Sequence, residues 1–135
     1  ESALAPLKQA FEEEPSYDLS RVLYASALYY SGQSDKADQL LIEKFDTVYV
    51  DNQQLIQAYY NTKQYVRLAK IYENRLAQNP NDIQSMVGHA VMNYFATGNK
   101  AVAVAELQKA ITVEPSLASQ IQAYINQINS DTLKP

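Results

Sequence analysis

The sequence predicts an all-α fold, an α-solenoid of stacked antiparallel helix pairs. Three observations carry this. Apolar residues recur at i, i+3, i+4 and i+7 through most of the chain, the spacing of one helix face. Pro15, Tyr49, Pro80 and Pro115 occupy equivalent places, 34, 31 and 35 residues apart, a period typical of helical repeats. The chain has only three glycines, few for an all-β protein with its many tight turns.

The elements follow in order. Residues 7–15, LKQAFEEEP, form a short helix with Leu7, Ala10 and Phe11 on its apolar side, and Pro15 stops it. Residues 21–45 carry a helix with Tyr24, Ala25 and Leu28, a break at Gly32, and a second helix with Ala37, Leu41 and Phe45. The run DTVYVD, residues 46–51, is a shortened junction. Leu55, Ile56 and Tyr59 mark the next helix, and Leu68, Ala69, Tyr72 and Leu76 the one after it, ended by Pro80. The clearest pair comes next. Val87, Ala90, Val91 and Tyr94 share one face, Gly98 breaks the pattern, and Asn99 is placed to cap a helix bearing Ala103, Leu107, Ala110 and Ile111. Pro115 ends it, and Ser116 is placed to cap a last helix. In SLASQIQAYINQINS the residues Leu117, Ile121, Tyr124, Ile125 and Ile128 lie on one side, opposite Gln, Asn and Ser. Such a helix closes a stack, because the final exposed face needs a cover that is polar outside.

The spacing of small, aromatic and proline positions resembles the tetratricopeptide repeat, whose unit is about 34 residues. The resemblance implies a right-handed solenoid forming a single domain over residues 1–135. A half repeat at 7–15 precedes three repeats at 18–48, 49–82 and 84–115, and a capping helix at 117–129 follows. Departures from the family pattern are visible. Its large residue early in the first helix is Arg21, Asn52 and Val87 here, and its late small residue in the second helix is Lys44, Arg75 and Ala110. Ile56 and Leu68 replace a usually small pair, which implies a wider helix crossing. The runs DLSRVLYASALYYSGQSDKADQLLIEKF, LIQAYYNTKQY and NPND are also similar to tetratricopeptide tails on bacterial polytopic membrane proteins of the O-antigen ligase or polymerase kind. That likeness implies a soluble appendage of bacterial origin, working near envelope glycan assembly.

Composition excludes several function classes. A 47% hydrophobic content argues for a folded chain. Eleven Lys and Arg against fifteen acids give a net charge of −4, and the cations form no stripe for a phosphate backbone, so no nucleic-acid partner is expected. Without cysteine there are no disulfides, thiolate metal sites or cysteine nucleophiles, and the compartment is left open. No apolar run approaches the roughly 20 residues that span a bilayer, so this segment is not expected to insert in a membrane. The chain begins at Glu1, and the lone helix at 7–14 keeps the repeat phase. An array cut from a longer one fits that start, and so does a helix that caps the amino end.

Catalytic chemistry finds no constellation. His89 is the one histidine, which excludes a multi-histidine metal site. No phosphate-cradling glycine loop and no HExxH occur. Glu12, Glu13 and Glu14 are consecutive, so a helix points them in different directions, and they read as a solvated helix end. The expectation is a non-enzymatic protein with no cofactor and no metal.

Function then rests on surface shape. The resemblance implies a concave groove lined by the first helix of each repeat. Carried onto this chain, the groove residues are Leu19, Val22, Ser26, Tyr29 and Tyr30, then Gln53, Gln57, Tyr60 and Asn61, then Ser85, Gly88, His89, Met92, Phe95 and Ala96. None is charged at neutral pH in the manner of Lys, Arg, Asp or Glu. Family members that clamp the acidic carboxyl end of chaperones use Lys, Asn and Arg. The matching places here are Val22, Ser26, Gln57, Gly88 and Met92, which leave a carboxylate unpaired, so such a clamp is not expected. Tyrosines and amides suit a peptide or protein segment, and the same chemistry suits a sugar chain. Four of the eleven tyrosines, Tyr24, Tyr59, Tyr72 and Tyr94, already have a packing role on the apolar stripes. Self-association into a homo-oligomer through this surface, or through Leu7 and Phe11, is a further expectation.

Overall fold

Local caps and breaks cut the chain into helices where the sequence places them. The computed structural model describes residues 4–135, so residues 1–3 of the expected domain lie outside it. It is all-helical, with no strand among the described residues. Helix α1 spans Leu4–Glu13, α2 Asp18–Tyr30, α3 Ser34–Phe45, α4 Gln53–Asn61, α5 Tyr65–Gln78, α6 Ile83–Thr97, α7 Lys100–Val113 and α8 Ala118–Asn129. Three starts are fixed by side-chain caps. Asn52 accepts from the Gln54 and Leu55 amides, Asp82 from Ser85, and Asn99 from Val102, satisfying donors that a first turn leaves open. Gly98 ends α6 at φ +70°, a left-handed conformation that glycine adopts without strain. Asp46, Lys63 and Asp131 adopt the same conformation at φ +61° or +62°.

The last helix begins differently from expectation. Ser116 does not cap it. Pro115–Leu117 form a 3-10 turn, the Ser116 hydroxyl donates to Glu114, and α8 starts at Ala118 with no side-chain cap. Proline's fixed φ favours that tight turn and delays the α-helix by one turn. Tyr124, expected on the apolar side, is exposed at the edge of the stripe, while Ile121, Ile125 and Ile128 are buried.

The elements form two compact units, residues 4–64 and Tyr65–Pro135. In the first, α2 is central and packs against α1, α3 and α4. Leu28, Leu41, Leu55 and Tyr59 are fully buried there, each worth roughly 1.5–3 kcal/mol of burial. Arg21, also buried, ties this unit together. Its guanidinium donates to the Leu40 carbonyl at 2.9 Å, to the Glu43 carboxylate at 3.1 Å and to the Pro15 carbonyl at 3.2 Å. It also lies 4.8 Å from the Phe11 ring centre, and Phe11 in turn stacks on Tyr24.

In the second unit, α5 packs on α6, α6 on α7 and α7 on α8. Met86, Ala90, Ala103, Leu107, Ala110, Ile121, Ile125 and Ile128 make one continuous core, and Leu133 folds back onto it. Gly88 allows a close approach inside this unit. A Cβ there would stand 2.8–2.9 Å from the Tyr72 ring atoms, so the ring lies directly on the α6 backbone.

Candidate functional site

Tyr30, Asn61 and Gln57 are the expected groove residues that the structure joins at the surface. Tyr30 ends α2 and is 54% exposed, and Gln57 and Asn61 are exposed one turn apart on α4. The Asn61 amide donates to the Tyr30 hydroxyl at 3.0 Å, and the Gln57 amide donates to Asn61 Oδ1 at 3.2 Å. Gln53, a further turn back on α4, is exposed on the same edge.

Proton counting gives this row a direction. Each amide uses one of its two N–H donors and Asn61 also accepts, which leaves the Gln57 carbonyl as an open acceptor, the Tyr30 O–H as an open donor, and a second N–H on each amide. Reversing both amides inverts the row, yet one end still donates and the other still accepts.

Other groove candidates of the first unit face inward. Val22, Ser26 and Tyr29 are buried, at i, i+4 and i+7 along α2. The Ser26 hydroxyl has no hydrogen-bond partner. Tyr29 donates to Asp38 at 2.6 Å and meets the Tyr59 hydroxyl at 3.1 Å, while Tyr59 donates to the Val48 carbonyl at 2.7 Å. The two rings meet edge to face, with centres 5.1 Å apart. Burial, then the bonds to Asp38 and Tyr59, push the Tyr29 phenol far above its ordinary range. Tyr60 is half-buried and engaged, and Leu19 is exposed.

The second unit spends its candidates on packing. His89 Nδ1 meets Glu106 Oε2 at 2.5 Å, linking α6 to α7. Met92 is buried, and Phe95 sets its ring edge to face against Tyr65, with centres 5.4 Å apart. Ser85 is fully buried and donates to the Asp82 cap, and Gly88 sits beneath Tyr72. Ala96 is exposed.

Two arrangements were missed by reading the sequence. The His89–Glu106 bridge joins residues seventeen apart, which no local motif signals. A cavity of about 230 Å³ lies beside it, lined by Leu76, Pro80, Met86, Glu106 and Lys109. Among the described residues, no three His, Cys, Asp or Glu side chains converge on a metal position, and no helix is long and apolar enough to cross a membrane. Comparison with protein-family models, with curated proteins and with solved structures finds no match for the chain.

Proposed function

We propose that this chain is a non-enzymatic scaffold of tetratricopeptide-like helix pairs, and that it holds a peptide or protein segment against the α2–α4 face. One observation carries the reading. The exposed row Tyr30–Asn61–Gln57 offers an open O–H donor at Tyr30 and an open carbonyl acceptor at Gln57, beside an aromatic ring. A peptide unit presents the complementary pair, an N–H and a C=O, and the tyrosine ring adds apolar contact at low side-chain entropy cost. The row carries no formal charge, which suits a neutral backbone better than an anionic tail.

A displayed random-peptide library selected on the immobilised chain tests this. Peptides recovered on the wild type bind at least about tenfold more weakly to a Tyr30→Ala/Gln57→Ala variant, a loss typical of an aromatic anchor plus a hydrogen bond. Circular dichroism checks that the variant remains folded, as expected for two exposed side chains. Equal binding by both proteins would remove the α2–α4 face as the contact.

A further inference from the structure

The cavity in the second unit has a wall and a floor of different chemistry. Its floor is apolar, made by Met86, which is 7% exposed, by Leu76, which packs on the core, and by Pro80. Its wall is one strip of α7. Glu106 and Lys109 stand three residues apart there, so they share a helix face. Glu106 is not a loose surface acid. His89 holds its Oε2 at 2.5 Å, which fixes the carboxylate and leaves Oε1 as an acceptor. The Lys109 ammonium has no ion-pair or hydrogen-bond partner among the described residues. The wall therefore offers one oriented acceptor and one available donor above an apolar floor.

Charge and volume narrow what fits. A bare anion satisfies Lys109 but meets Glu106, and a bare cation meets the reverse conflict. A neutral group with one N–H and one C=O close together satisfies both. A volume of about 230 Å³ lies below the roughly 300 Å³ at which drug-sized sites begin, so there is room for one side chain rather than a large ligand.

We propose that the α5–α6–α7 cavity receives a single apolar residue of a bound peptide, Leu or Met in size, with its backbone N–H on Glu106 and its C=O on Lys109. His89 acts as a positioning residue by holding Glu106. The inference extends the peptide-scaffold reading to a second contact point, and it stands on residues that the α2–α4 row does not include.

The test titrates the full chain, labelled with nitrogen-15, with N-acetyl-leucinamide, which carries one apolar side chain between two amide groups. Chemical-shift changes are expected at Leu76, Met86 and Lys109, saturating at a roughly millimolar dissociation constant. N-acetyl-alaninamide binds at least about threefold more weakly, because it leaves the floor uncovered. Lys109→Ala weakens N-acetyl-leucinamide by a similar factor, whereas Glu106→Gln keeps an acceptor and stays closer to wild type. The variant spectra report folding directly. Shifts scattered over the surface, or unaltered by Lys109→Ala, overturn the site. Equal or tighter binding of 4-methylpentanoate, an apolar body ending in a carboxylate, overturns the peptide assignment in favour of an organic acid. The Tyr30→Ala/Gln57→Ala variant should bind N-acetyl-leucinamide unchanged, so failure of one contact is distinguishable from failure of the other.

Discussion

At Arg21 a cation occupies a buried position on the most enclosed helix of its unit. Burying a charge is costly unless it is paired and fully hydrogen-bonded. Here two backbone carbonyls, the Glu43 carboxylate and the Phe11 ring share the guanidinium, although its buried Nε has no hydrogen-bond partner, and one side chain thereby joins α1, α2 and α3. The sequence marks Arg21 only as a departure from a repeat pattern, because its partners lie up to 22 residues away and two are main-chain atoms. Tyr29 was equally hidden. Its helical register suggests a groove, and its hydroxyl reveals a buried network. That network has a testable pH signature. The folded phenol ionises well above its unfolded value, so its stabilisation is complete below about pH 10 and is lost as pH rises further. Urea unfolding between pH 9 and 11 should show stability falling above pH 10, with a limiting slope of about 1.4 kcal/mol per pH unit from this group. Tyr29→Phe should lower stability at pH 8 and flatten the alkaline fall; an unchanged slope would assign the fall to other groups.

Helix positions were legible because their signals are local. Asn99 caps α7 and Gly98 ends α6 where an apolar stripe breaks, and Ala103, Leu107 and Ala110 are all buried. Legibility fails where two local preferences compete. Pro115 favours a 3-10 turn over a Ser116 cap, and Tyr124 lies at the rim of a stripe whose centre is three isoleucines. The surface row of α2 and α4 was half legible. Tyr30, Gln57 and Asn61 stand in the expected list, yet their mutual hydrogen bonds depend on how the two helices pack. Among the second-unit candidates, neighbours in α5 and α7 engage two side chains, Tyr65 meeting Phe95 and Glu106 meeting His89, contacts that no local pattern signals. Helix α7 offers a sharp packing test. Ala103 is 2% exposed within a continuous core, so there is no room for a larger side chain. Ala103→Leu should destabilise by about 1–3 kcal/mol through overpacking, read as a lower midpoint in thermal melting. An unchanged midpoint would mean that α7 is free to move away from its neighbours.

On the scale of the whole chain, the repeat period and the compact units do not share boundaries. The division after Gln64 falls inside the expected repeat 49–82, because periodicity records which faces are apolar and not which elements gather most closely. The second unit has its own core, three side-chain or left-handed caps and a returning tail, with Lys100 bound to Asp131 at 2.8 Å. Residues 65–135 expressed alone should therefore remain helical and melt in one cooperative step; a fragment with a broad, non-cooperative melt would show that its core is insufficient. The pairing pattern has a consequence for how the chain reaches this state. In the second unit every helix packs on the next one in sequence, and in the first α2 packs on α1 and α3, its sequence neighbours, and on α4, the next but one. The loops to be closed are thus short, and the entropy lost before a contact forms is small. Folding of either unit belongs to the microsecond-to-millisecond class of helical proteins, so a chain emerging from the ribosome has each helix paired soon after its neighbour appears.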